Sequence, residues 1–353
     1  MLTPESRVLV VSVARIGDTI LMTPCLRALR RACGWLTVLA HPRRLDVLQH
    51  LQFIDELEGI TKNTAPIKAL FRRQQFDLAI CFGRDLALVR YCMKAARLTV
   101  AFDCAAFRPL VSPALRLVPA PPESSMHAVR ERMLLLEAAG VRTDDLRLSY
   151  EVTREERQGA EAWIRKNLPP GAGPLIGLQP FSYPTKAHRD WPRDQFIDLA
   201  RRIVNDYPHA HIIVLGDEQA RAHAGEFARA LPGRCTVAAG TLSLRQSAAL
   251  MQRLGLYVGV DTGPTHIAGA LGIPMLAMYH ASYIGRYLMP LQNPRSAAIE
   301  HPATFSDAAG GAEMAAITVD QAWAAAQGLL SGRRGEEVSH FVLARPILAC
   351  DGR

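Results

Sequence analysis

The sequence lacks the patterns of several common protein classes. Its seven cysteines are odd in number and contain no C-x-x-C pair, which argues against a disulfide framework or a zinc knuckle. The longest stretch without Asp, Glu, Lys or Arg, Thr262 to Gly285, is broken by glycine and proline, so we expect no transmembrane helix. Only a short apolar run precedes Arg15, and we expect no secretory leader. These absences predict a reducing, cytoplasmic location.

Several catalytic signatures are also missing. The sequence contains no G-x-G-x-x-G dinucleotide fingerprint, no Walker A loop and no G-x-S-x-G nucleophile motif. It has no D-x-D, H-E-x-x-H or EF-hand pattern, so we expect no metal site. After these exclusions, the remaining reaction class is group transfer from a nucleotide-linked donor, and we expect no cofactor.

The positive charge is unevenly distributed. The net charge is +8, and residues 1–168 hold 25 Lys and Arg against 18 Asp and Glu, so the second half is nearly neutral. Many of these cations fall in helical stretches, where they could meet phosphates or an anionic membrane surface. Ordinary solvated helix faces are the alternative. We expect no nucleic-acid partner, because the basic segments lack interleaved aromatic residues.

Alternating apolar and helical stretches predict an α/β protein of two doubly wound, Rossmann-like domains with parallel sheets. A Pro/Gly linker, LPPGAGP at 168–174, divides them into residues 1–168 and residues 169–353, the latter with a C-terminal helix and a tail from Ser331. A Pro-rich interval at 103–122 is expected to be a long connection bordering a cleft. The strand candidates are 7–13, 35–40, 76–82, 97–102, 175–179, 211–216, 256–260 and 274–279. The helix candidates are 19–33, 125–139, 154–167, 193–206, 217–230, 243–253 and 318–330.

The loop after the first strand carries a glycine and an acid, Gly17 and Asp18, followed by Thr19. Ligands of doubly wound sheets lie at the carboxyl ends of strands, which is where this loop falls. Asp18 fits a helix N-cap, and that alone would explain it. It also fits a general base that takes a proton from a sugar hydroxyl. The two roles are compatible.

A second loop, GVDTGPTH at 259–266, joins a strand to a helix. Gly263 removes side-chain bulk, Pro264 suits a first helical turn, and the N–H groups of that turn suit a diphosphate. From the local sequence, Asp261 is either a helix N-cap or a residue of the binding site. His266 is either a satisfied polar residue or a donor to a leaving diphosphate.

Two further loops fall at comparable strand ends. Thr185, Lys186 and Arg189 offer a hydroxyl and two cations after the first strand of the second half. The segment 216–218 places acids, including Glu218, where ribose hydroxyls are bound in similar folds. Ordinary surface loops are the alternative for both.

Together, IGDTILMTPCLRALR and GVDTGPTHIAGALGIP resemble the signatures of the ADP-heptose:lipopolysaccharide heptosyltransferases, glycosyltransferase family 9. The resemblance covers roughly residues 7–330. It implies a GT-B fold with a central cleft, the acceptor held mainly by the first domain and the nucleotide sugar by the second. It also implies an inverting, metal-independent reaction. By the resemblance Asp18 is the base, in an acceptor loop with Gly17 and Thr19.

The resemblance assigns a donor site to the second half. Asp261, Thr262, Gly263 and His266 match its donor loop, and Glu218 falls near an acid that contacts the nucleoside. Thr185 fits a phosphate-facing hydroxyl, beside Lys186. Arg189 stands where the family usually has Lys, which keeps the cation but changes its shape.

The resulting hypothesis is transfer of heptose from ADP-L-glycero-D-manno-heptose to a phosphorylated lipopolysaccharide core acceptor. The expected location is the cytoplasmic face of the inner membrane, with peripheral contact to anionic lipid. The alternatives are a relative using another sugar nucleotide or glycan, a sugar-nucleotide epimerase or NAD-linked enzyme, and a catalytically silent binding protein.

Overall fold

The computed structural model describes residues 2–107, 109–110, 112–306 and 309–332. These residues form two six-stranded sheets in which every neighbouring pair of strands is parallel. Helices pack on the sheets, which confirms the predicted α/β class with two doubly wound halves. The tail predicted from Ser331 lies outside the described residues from residue 333 onward.

Both sheets have the same topology. The first has the order β3-β2-β1-β4-β5-β6, and the second, read from its far edge, has the order β9-β8-β7-β10-β11-β12. Each order reverses direction between two central strands, which is the point where doubly wound sheets bind ligands. The strands are β1 Arg7–Ser12, β2 Trp35–Ala40, β3 Glu56–Gly59, β4 Phe76–Cys81, β5 Ala96–Phe102, β6 Leu115–Val118, β7 Leu175–Gln179, β8 His211–Val214, β9 Cys235–Val237, β10 Leu256–Val260, β11 Met275–Tyr279 and β12 Ser296–Glu300.

Each predicted helix is present with bounds within about three residues, except the first, and the helices at 45–48, 65–71 and 86–95 were not predicted. The predicted helix at 19–33 is two helices, because Pro24 has no N–H to continue the ladder and the Thr23 hydroxyl donates to the Ile20 carbonyl at 2.7 Å. The helices are α1 Ile16–Leu21, α2 Thr23–Ala32, α3 Leu45–Leu48, α4 Ala65–Phe71, α5 Leu86–Ala95, α6 Ala128–Ala138, α7 Arg154–Asn167, α8 Arg193–Asp206, α9 Glu218–Ala230, α10 Leu244–Met251, α11 Gly263–Leu271 and α12 Val319–Leu330.

Four strands were not predicted, and they are β3, β6, β9 and β12. Each lies at the edge of a sheet or next to it and is only three to five residues long. The Pro-rich interval at 103–122 therefore contains β6 and is not wholly a connection. Short edge strands carry little of the apolar run that marks a strand buried on both faces. The central strand β10, by contrast, is buried along its whole length.

The two halves are joined by polar contacts as well as by a shared apolar core. Helix α7, which the predicted division at residue 168 assigns to the first half, packs against α10 of the second half. Arg245 on α10 is buried. It binds Glu156 on α7 at 2.7 Å and donates to the Asp46 carbonyl at 2.8 Å. This arginine ties elements of both halves together.

Candidate functional site

A cavity of about 420 Å³ lies between the carboxyl edges of the two sheets. Its walls come from the loop after β1 in the first half and from the loops after β7, β8 and β10 in the second, with Tyr283 beyond β11. Both switch points of the strand order therefore open into one space. The predicted site residues that line it are Gly17, Asp18, Lys186, Arg189, Asp261, Thr262, Gly263 and His266.

Two helix N-termini, those of α1 and α11, meet at the cavity wall. A Cβ atom on Gly17 would lie 2.6 Å from His266 Cδ2, and one on Gly263 would lie 2.7 Å from Ile16 Cβ. Real Cβ atoms do not come this close to other atoms, so both positions require glycine if the helices are to touch. The close contact of the two halves at the site depends on this pair of glycines.

Asp18 is the third residue of α1, whose N-cap position is Arg15, so the predicted capping role of Asp18 is wrong. Its side chain is 49% exposed and lines the cavity. Arg132 on α6 donates from Nη2 to Asp18 Oδ1 at 2.8 Å. The carboxylate is thus accessible and held in one orientation, as a general base requires.

His127 fixes the start of the helix that carries Arg132. Its Nδ1 accepts from the Val129 N–H at 3.1 Å, so its Nε2 is the donor to the Met289 carbonyl at 2.8 Å. Burial lowers the pKa of His127 to about 4, and the charge of Arg130 acts in the same direction. The neutral ring therefore anchors α6 of the first half to the second half.

Asp261 and Arg189 form a buried ion pair on the opposite wall. Arg189 Nη1 lies 2.8 Å from Asp261 Oδ2, and His266 Nε2 lies 3.7 Å from Asp261 Oδ1. Thr262, not Asp261, occupies the N-cap position of α11, so the capping alternative for Asp261 is wrong. Asp261 instead pairs with Arg189 and lies beside His266, and all three side chains line the same cavity.

The guanidinium of Arg189 lies over an aromatic ring. Its Cζ is 3.4 Å from the centroid of Tyr283, a cation–π contact. Burial acts to raise the pKa of Tyr283, but the adjoining charges of Arg189 and Lys186 outweigh it and lower that pKa. Arg189 Nε is buried and finds no hydrogen-bond partner among the described residues.

The first turn of α11 suits an anion. Its leading residues are Gly263 and Pro264, and the side chain of Thr262, the N-cap residue, accepts no hydrogen bond from a backbone N–H of that turn. The backbone N–H groups at a helix start are unsatisfied within the helix and carry the positive end of its dipole. Arg189 and Lys186 add positive charge to the same cavity. The arrangement can bind a diphosphate.

Three predicted site residues lie outside the cavity lining. Thr19 is buried, and its hydroxyl donates to the Arg15 carbonyl at 2.8 Å. Thr185 is exposed on a short 3-10 segment. The Glu218 side chain is 73% exposed and lies 3.7 Å from Arg221. Its neighbour Asp217 lines the cavity instead.

Sequence reasoning missed the apolar part of the wall. In the second half it is built by side chains from four separate stretches, and only Leu215 directly adjoins a predicted site loop, the segment 216–218. These residues are Phe181, Leu215, Leu242, Leu244, Met251 and Leu288. An apolar slot beside a cationic one suits a ligand with a flat ring and a charged group.

Within the described residues, no three His, Cys, Asp or Glu side chains are grouped as metal ligands. No helix in the same part of the chain combines the length and apolar character needed to cross a membrane.

Comparison with known proteins gives a family match. Residues 65–301, more than half of the chain, match the family model of glycosyltransferase family 9 (heptosyltransferase). Lipopolysaccharide heptosyltransferase 2 of Salmonella typhimurium LT2 is 29% identical over 113 residues, which cover 31% of this chain and 32% of that protein. The matched part thus spans about a third of that curated relative.

Two solved structures share the fold over nearly the whole chain. A family 9 glycosyltransferase from Veillonella parvula superposes with a TM-score of 0.80 at 21% identity, covering 94% of this chain and 99% of that one. E. coli ADP-heptose lipopolysaccharide heptosyltransferase II superposes with a TM-score of 0.72 at 16% identity, covering 92% and 99%. These likenesses show the two-lobed GT-B architecture.

Proposed function

This chain belongs to glycosyltransferase family 9, and from that premise we propose that it transfers heptose from ADP-L-glycero-D-manno-heptose to a phosphorylated lipopolysaccharide core acceptor. The observation that carries the proposal is the cavity itself. It brings an accessible carboxylate, Asp18, opposite a helix start and two cations suited to a diphosphate.

The proposed reaction is a single displacement with inversion. Asp18 takes the proton of the acceptor hydroxyl as its oxygen attacks the anomeric carbon of the heptose. The bond from that carbon to the diphosphate oxygen breaks, and its electron pair leaves with ADP. Arg132 orients the carboxylate through the 2.8 Å contact. No metal is required in this scheme, because cationic side chains and backbone N–H groups carry the leaving charge.

The donor is assigned to the second half. The first turn of α11, with Thr262 and Gly263, is proposed to hold the diphosphate, together with Lys186 and Arg189. His266 is proposed to face the leaving group from within that helix. The apolar wall is proposed to hold the base.

Other parts of the donor site stay predictions. Asp217 lines the cavity, so it is better placed than Glu218 to accept from ribose hydroxyls. Thr185, on the 3-10 segment, and Thr19, on α1, keep their predicted roles only if binding rearranges those elements. The division into an acceptor domain (1–168) and a donor domain (169–353) is part of the same proposal, as is a cytoplasmic, peripheral location at the inner membrane.

Calorimetry and a transfer assay test the proposal together. We expect ADP to bind more tightly than UDP or GDP, and ADP to be released from ADP-heptose only when a core acceptor is supplied, with a product heavier by one heptose. Binding of UDP or GDP in preference to ADP would point to a relative with another donor. ADP-heptose turnover without acceptor would favour an epimerase or hydrolase.

A further inference from the structure

Helix α4 (Ala65–Phe71) exposes an apolar face that nothing in the proposed reaction uses. On the described part of the chain six large apolar side chains are exposed, and three of them lie on this one helix: Ile67 at 62%, Leu70 at 65% and Phe71 at 79%. Their spacing of three and four residues places them on one side of the helix. We call these three residues the α4 patch.

The opposite side of α4 is fixed to the protein. Ala65 and Ala69 are buried, and the helix packs against α5. Lys68 and Arg72 both bind Glu58 on β3, at 3.1 Å and 2.6 Å. The α4 patch therefore faces solvent, on a helix whose other side is fixed by packing and ion pairs.

The surroundings of the patch are strongly basic. Residues 61–97 hold eight Lys and Arg but only two Asp and Glu. Several of these cations are exposed, on the flanks of α4 and on the neighbouring helix α5, and Gln74 after α4 donates to the Lys94 carbonyl at 2.9 Å. The exposed cations beside the patch are Lys62, Arg73, Arg90 and Lys94.

We propose that the α4 patch and its basic surroundings form a docking surface for an anionic lipid bilayer. Apolar side chains that insert at the headgroup boundary, ringed by Lys and Arg, are the features that hold interfacial helices on anionic membranes. A second copy of this chain fits poorly, because pairing two such surfaces would bring like charges together.

The start of α4 lies on the same side of the first sheet as the site. The strands of this sheet are parallel, so the loop after β3 that leads into α4 lies at the same edge as the loop after β1 that leads into α1, the helix of Asp18. From there α4 runs towards the opposite edge, where Gln74 meets Lys94 just before β5. This inference extends the proposed membrane location to a named surface and does not depend on the transfer chemistry.

The test is vesicle sedimentation of the full chain without substrates. We expect binding to vesicles of mixed phosphatidylcholine and phosphatidylglycerol that weakens with salt, and little binding to phosphatidylcholine alone. The triple variant Ile67→Ser, Leu70→Ser, Phe71→Ser is expected to bind at least about tenfold more weakly. The matched control is Phe305→Ser, which changes a side chain that is 66% exposed in the other half and should leave binding unchanged.

The charge contribution is measured separately. Replacing Arg73 and Lys94 by Gln is expected to weaken binding to anionic vesicles by about tenfold or more, since each cation near the surface contributes about fivefold. Absence of wild-type binding would overturn the inference, as would a triple variant that binds like wild type. A dimer in sedimentation velocity that the triple variant abolishes, with no vesicle binding, would assign the patch to a second copy. Intact ADP binding in each variant keeps this outcome separate from failure of the proposed function.

Discussion

Replacement of Gly17 by Ala tests the contact between the two helix starts. In an ordinary helix this change stabilises, because glycine is about 0.5–1 kcal/mol worse than alanine there. At Gly17 the new Cβ would lie 2.6 Å from His266 Cδ2, whereas ordinary contact begins at 3.4 Å. His266 is buried beside Asp261 and cannot simply swing away.

The clash is expected to cost more free energy than alanine gains over glycine in a helix. Overpacking costs about 1–3 kcal/mol, so Gly17→Ala should lower the free energy of unfolding by about 1 kcal/mol in net terms. Displacement of α1 relative to α11 should also lower kcat by about tenfold to a hundredfold, since Asp18 moves away from the donor.

Gly159 on α7 provides the matched control. A Cβ atom at this position would have no atom within 4 Å. Gly159→Ala should therefore raise the free energy of unfolding by about 0.5–1 kcal/mol and leave kcat unchanged. Urea unfolding and steady-state transfer kinetics of both variants measure the contrast. If Gly17→Ala proved as stabilising as Gly159→Ala and fully active, the close approach of the two helices would not matter to the site.

The remaining predictions concern groups that hold the site. Tyr283→Leu should weaken ADP binding by about two- to tenfold in calorimetry, because Arg189 loses its cation–π support, while Tyr283→Phe should retain affinity. As pH falls from 6.5 towards 4, wild type should lose up to about 3 kcal/mol of stability, because the unfolded chain protonates His127 and the folded chain, with a pKa of about 4, does not. Urea unfolding at several pH values in this range should show that the free energy of unfolding of His127→Gln depends less steeply on pH than that of wild type. Arg245→Met should lower the free energy of unfolding by about 3 kcal/mol in the same assay, since it removes the ion pair of Glu156 and the donor to the Asp46 and Glu151 carbonyls.

The core of the site could be predicted from local sequence. Gly17, Asp18 and the 261–266 loop follow central strands, and the carboxyl ends of such strands are where the fold binds ligands. Their supports could not be predicted. Arg132 reaches Asp18 from 114 residues away, and Tyr283 lies under Arg189 from beyond β11. No spacing rule marks such pairs, because only tertiary packing brings them together.

The sequence also could not show which of two adjacent residues faces the cavity. In the loop after β8, Asp217 lines the cavity and caps α9 by accepting from the Ala220 N–H at 3.0 Å, whereas Glu218 turns to solvent. Two adjacent acids look equivalent in a sequence, but successive residues of a helix start point in different directions. The short edge strands were missed for a similar reason, since pairing with a neighbour rather than an apolar run defines them.

The central claim is that Asp18 takes the acceptor proton, and Asp18→Asn tests it most directly. The side chain is half exposed, so loss of its pair with Arg132 should change stability by no more than about 1 kcal/mol and leave ADP affinity unaltered. Single-turnover transfer from ADP-heptose to a core acceptor should then slow by about 10²- to 10⁴-fold. A rate within a few-fold of wild type, with ADP bound normally, would contradict the claim.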